Sequence, residues 1–135
     1  MDFNVKELLA IATEARGDSY SPYSDISVGA ALLTKSGKIY KGCNIENASY
    51  SPTVCAERVA FFKAVSEGET EFCAIAIAGG KRGEPSRADF PPCGVCRQVM
   101  SEFCDSDFRV IWGNDEKFTD TTLGEILPHS FDLNV

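Results

Sequence analysis

The segment Pro92-Cys93-Gly94-Val95-Cys96 sets two thiols three residues apart where a helical pattern begins. A second thiol-bearing helix start, Cys55-Ala56-Glu57-Arg58, lies 38 residues earlier by chain number. At a helix N-terminus the unpaired N–H groups and the macrodipole favour anions, so thiolates are stabilised there. Cys93 and Cys96 reach one ion across a tight turn that Gly94 is expected to permit. Taken alone, that turn serves a zinc half-site and a redox disulfide equally.

Cys55 supplies a third thiolate. A closed structural zinc shell takes four protein ligands, whereas a catalytic one takes three and keeps a place for water. The chain has no second Cys-x-x-Cys, and its one histidine, His129, sits near the C-terminus. Three sulfurs and an open position is the economical count. Glu57, two residues past Cys55, is then placed to exchange protons with a zinc-activated water. Arg58 and Arg97 are expected to donate to the sulfurs and offset the net charge of three thiolates on Zn²⁺. Cys43, Cys73 and Cys104 fall at strand or late-helix positions and read as small buried apolar residues.

The pattern around these segments alternates helix and strand. Val5, Leu8, Leu9 and Ala12 give residues 5–16 an amphipathic helical stripe. Ile26 to Thr34 reads as a strand buried on both faces, Ser36-Gly37 as a turn, and Lys38 to Cys43 as the antiparallel return. Thr53 to Glu67 reads as a helix that is apolar nearly all round, so one side is expected to meet another subunit. Phe72 to Ala78 is a strand, Gly79 to Pro92 a polar loop, and Gly94 to Cys104 a helix with Val95, Val99 and Phe103 on one stripe. Phe108 to Trp112 is a strand, and Thr121 to Leu127 a short last helix. The order αββαβαβα predicts a mixed sheet covered by helices in an α/β three-layer arrangement. The length of 135 residues suits a single domain, 1–135.

Bulk properties narrow the partners. Formal net charge is −7, and no Lys/Arg run offers phosphates a counterion-replacing face, which argues against nucleic acid. No apolar run reaches the length of a membrane span. The start Met1-Asp2-Phe3-Asn4 lacks a basic stretch followed by an apolar core, so the cytoplasm is the expected compartment and disulfides are not expected.

Cys-Ala-Glu followed by Pro-Cys-x-x-Cys resembles the zinc nucleoside and nucleobase deaminases. The wider match is to the small homotetrameric cytidine deaminases. It is carried by Ser21-Pro22-Tyr23-Ser24, Val28-Gly29-Ala30-Ala31-Leu32, Gly42-Cys43-Asn44-Ile45-Glu46-Asn47-Ala48, both thiol motifs, and Leu127-Pro128 before Phe131. The resemblance implies a three-layer α/β/α fold with a mixed five-stranded sheet and one Zn²⁺ per subunit. It also implies hydrolytic deamination of free cytidine and deoxycytidine to uridine and deoxyuridine, with release of ammonia in pyrimidine salvage.

By the same resemblance, Glu57 shuttles protons to N3 and the leaving amine. Asn44 and Glu46 bond the sugar 3′-hydroxyl, and the Ala56 N–H holds the base O2. Ala48, Tyr50 and Phe131 reach a neighbouring subunit's site. Ile26 stands against the base where the family usually has Phe, which leaves a deaminase of a modified cytosine nucleoside as an alternative. A Cys-x-x-Cys thiol–disulfide enzyme is the more distant one.

Overall fold

The computed structural model describes residues 2–133. Helix α1 spans Val5–Ala15 and begins where the Asn4 side chain accepts from the Glu7 N–H. A 3-10 turn, Arg16–Asp18, closes it. Strands β1 (Ile26–Thr34) and β2 (Ile39–Cys43) form the hairpin expected from the sequence. Helix α2 covers Ala56–Ser66, strand β3 Phe72–Lys81, and helix α3 Gly94–Phe103. Strands β4 (Arg109–Gly113) and β5 (Phe118–Thr122) and helix α4 (Leu123–Ile126) complete the order.

The five strands form one sheet in the order β2-β1-β3-β4-β5. The β3–β4 pair is parallel and bridged by α3, and the other pairs are antiparallel. Side chains of a strand alternate between faces, and this sheet uses the alternation to separate sizes. Ala31, Ala74, Ala76 and Ala78 face α1 together with Leu33 and Ile111. Leu32, Ile75, Ile77, Val110 and Trp112 face α2 and α3. Small residues let α1 sit close: a Cβ on Gly29 would lie 1.9 Å from the Ala12 carbonyl oxygen.

On the opposite face, Phe61 of α2 contacts Phe72, Phe103 and Phe108 with ring centroids 5.0–6.1 Å apart. Ring pairs of this kind each contribute about 0.5–1.5 kcal/mol beyond simple burial. They fix α2 and α3 against each other and against the sheet, and thereby fix where both helices start. Gly42 of β2 fixes it further, since a Cβ there would fall 2.2 Å from the Ala56 carbonyl oxygen and 2.6 Å from the Ala60 nitrogen.

Several expectations need correction. Helix α2 begins at Ala56 rather than Thr53, because Val54 and Ile45 exchange two backbone hydrogen bonds that keep the chain extended up to Cys55. Strand β3 runs past Ala78: Gly79 and Gly80 pair with Val28 and Ser27. The glycines are there for close approach, a Cβ on Gly79 meeting the Phe90 ring at 2.4 Å. Four strands are visible in the pattern, and β5 is the fifth; it occupies residues assigned in part to the last helix. Val99 and Phe103 pack on the core as expected, with Cys96 and Met100 buried beside them, while Val95 is exposed. Among the described residues no helix is long and apolar enough to cross a membrane.

Candidate active site

Two helix starts meet on the α2/α3 face of the sheet. Cys55 is the N-cap residue of α2 and Cys93 that of α3, both in extended conformation and neither bonding its helix through its side chain. Cys96 lies in the first turn of α3 and is fully buried. The three sulfurs lie within 4.8 Å of one another, and no fourth His, Cys, Asp or Glu joins them among the described residues. The Cys55 and Cys93 sulfurs are 3.7 Å apart. A tetrahedron with Zn–S bonds of about 2.3 Å has an edge of about 3.8 Å, so the spacing fits a shared zinc ion.

The surroundings favour the ionised form of Cys55, while the hydrogen bond to Cys55 and burial push the Cys96 thiol up. Hydrogen bonding from Cys96, reinforced by Arg58 and Cys93 and opposed by burial, lowers the Cys55 thiol to about 5. Arg58 donates from Nη2 to the Cys55 sulfur at 3.5 Å. Arg97 does not follow the expectation. Its Nε donates to the Pro92 carbonyl and its Nη1 to the Ile126 carbonyl, both at 2.8 Å. It braces the approach to Cys93 against the end of α4, and Arg58 is the guanidinium on sulfur. Gly94 has no positive φ, and a Cβ on it would meet nothing within 4 Å. The Cys93–Cys96 turn therefore does not depend on its being glycine.

Glu57 is 4% exposed. Burial, then the neighbouring Cys55 thiolate, push its carboxyl up to about 7. It also lies within hydrogen-bonding reach of Cys96, which puts a carboxyl directly beside the sulfur cluster. Cys43, Cys73 and Cys104 stand apart from the cluster. Burial pushes the Cys104 thiol up to about 12, as befits an inert side chain.

A second group lies where β1 begins and β2 ends. Asn44 is buried, accepts from the Val28 N–H at 2.9 Å and donates to the Ile26 carbonyl at 2.8 Å. One amide hydrogen and one lone pair remain on its side chain. Glu46 is half-buried and accepts from the Tyr23 and Ser24 N–H groups and the Ser24 hydroxyl. Against the upward push of burial, those bonds hold its carboxyl below the usual carboxylate range.

Tyr23, Ser24, Glu46, Tyr50 and Thr53 line a cavity of about 320 Å³. Ile26 and Tyr50 are exposed, as is Ala48. Phe131 is exposed too, and its carbonyl accepts from Gln98. The role of Tyr23 and Ser24 under Glu46 is not visible in the sequence. It depends on the long-range bridge that sets Tyr20 beside Ile45.

A sequence model described as the cytidine and deoxycytidylate deaminase zinc-binding region matches residues 4–112. The chain belongs to this deaminase family. A cytidine deaminase of Sporosarcina psychrophila is 47% identical over 95% of this chain and 91% of its own. One of Halalkalibacterium halodurans is also 47% identical, over 92% of this chain and 91% of its own. The crystal structure of cytidine deaminase from Burkholderia pseudomallei superposes with a TM-score of 0.85 at 40% identity, covering 96% of this chain and all of that one. Membership separates the two readings that Cys93-x-x-Cys96 left open. In a zinc-dependent hydrolytic deaminase, Cys55, Cys93 and Cys96 are the donors available to the metal.

Proposed function

We propose that this single-domain chain hydrolyses free cytidine and deoxycytidine to uridine and deoxyuridine, releasing ammonia, in the cytoplasm. The observation that carries the reading is three sulfurs from two helix starts grouped beside one buried carboxylate. Zn²⁺ held by Cys55, Cys93 and Cys96 supplies the Lewis acidity that makes water a nucleophile at neutral pH.

The chain's own residues do the rest. Glu57 takes the proton that water loses on attacking C4 and delivers it to N3 of the pyrimidine. It then carries the second proton to the 4-amino group, which leaves as ammonia. Arg58 donates to the sulfurs and offsets their negative charge. The Ala56 N–H holds the base O2, and Ile26 stands against the base. Asn44 and Glu46 bond the sugar 3′-hydroxyl, so that a free base leaves polar groups unpaired and is rejected.

The assembly we propose is a homotetramer in which Ala48, Tyr50 and Phe131 complete a neighbour's site. The exposure of both Tyr50, at the rim of an open, partly apolar cavity, and Phe131 supports this. Purified protein should remove the absorbance of cytidine. A chelator should abolish that activity and added zinc restore it. Protein that carries zinc yet leaves cytidine unchanged would contradict the reading.

A further inference from the structure

We propose that Ser24 is a positioning residue for the nucleoside sugar, orienting Glu46 through its hydroxyl. The inference rests on the reading of Glu46 as the partner of the 3′-hydroxyl. The direction of the hydrogen bonds is fixed by chemistry. The Ser24 hydroxyl accepts from the Ile26 N–H at 3.0 Å, and an ionised carboxylate only accepts. The hydroxyl proton therefore goes to Oε2 of Glu46. Oε1 is already held by the Tyr23 and Ser24 N–H groups at 3.0 and 3.1 Å. Oε2 thus keeps room for one more donor, and Ser24 decides where that room faces. The same hydroxyl joins Ile26, beside the base, to Glu46, beside the sugar.

Removing the hydroxyl should leave the turn standing. Asp25 takes a positive φ of 61°, and its side chain pairs with Arg82 at 2.7 Å while its carbonyl accepts from the Arg82 N–H at 2.8 Å. The two amides still grip Oε1. Without Ser24 the carboxylate can pivot about that oxygen, since the last torsion of a glutamate is soft.

The test measures kcat and KM for cytidine and for 3′-deoxycytidine in the wild type, Ser24→Ala and Ser24→Thr. We expect Ser24→Ala to raise KM for cytidine about tenfold, the effect of one bond to a charged group. Its kcat should be nearly unchanged, 3′-deoxycytidine should be used as by the wild type, and Ser24→Thr should recover cytidine. Equal losses on both nucleosides, a loss confined to kcat, or no loss on cytidine in a wild type that prefers the 3′-hydroxyl would overturn the role of Ser24. A wild type that does not distinguish the two nucleosides would overturn the reading of Glu46, and this inference with it.

Discussion

The sulfur cluster and the Glu46 rim differ in how they are built. Cys55, Cys93, Cys96 and Glu57 are set by two helix starts packed on the sheet, and Glu57 and Cys96 are buried. All the donors come from one chain. The Glu46 rim is a loop surface with Tyr23, Ser24 and Tyr50 exposed, held by hydrogen bonds and the edge contact of the Tyr23 and Tyr50 rings. Chemistry that needs fixed ligand geometry belongs on rigid helix starts, whereas the sugar recognition proposed for Glu46 belongs where hydroxyls can enter and leave. Variants should therefore divide: the cluster should govern kcat and metal content, the rim KM.

The sharpest way to break this division is Cys96→Ala. It should abolish zinc binding and reduce turnover by at least about a thousandfold, as expected when several kcal/mol of charge stabilisation is lost. Metal analysis and cytidine assays on one preparation check this. A zinc-replete, active variant would mean that the sulfur does not hold the metal.

Glu46→Gln should act on the other side of the division. A roughly 10- to 100-fold rise in KM at preserved zinc content is expected from a weakened charged hydrogen bond. If its kcat falls instead, the rim takes part in the chemistry and the comparison fails. The smallest effect is expected for Arg58→Ala, which leaves the ligands in place but removes a donor from the Cys55 sulfur. A loss of about tenfold in zinc affinity or activity is typical of such partners, and a competitive chelator titration measures it.

The two regions were also unequally legible in the sequence. The cluster is written in short local motifs, because a helix start needs only a few residues to announce itself. Strand β1 follows equally from its near-continuous apolar run, and helix α1 from a 3.6-residue pattern. What stayed hidden depends on long-range pairing. Strand β5, Phe118-Thr119-Asp120-Thr121-Thr122, is a half-exposed edge with no apolar alternation to mark it. Gly79 and Gly80 read as loop because glycine weakens a strand, yet the Phe90 ring requires the space at Gly79. Arg97 sits beside Cys96 in the chain, but its guanidinium turns to the carbonyls of Pro92 and Ile126. The hold of Ser24 on Glu46 spans 22 residues and has no local signature.

In the proposed reaction every proton passes through one carboxyl beside the three sulfurs. Glu57→Gln keeps the shape and the ligands while removing the group that carries protons. Zinc per chain and kcat for cytidine should be measured together on that variant. The prediction is wild-type zinc with kcat lowered about 100- to 10,000-fold, the range for a lost general acid–base. A zinc-loaded variant with near-normal kcat would contradict it.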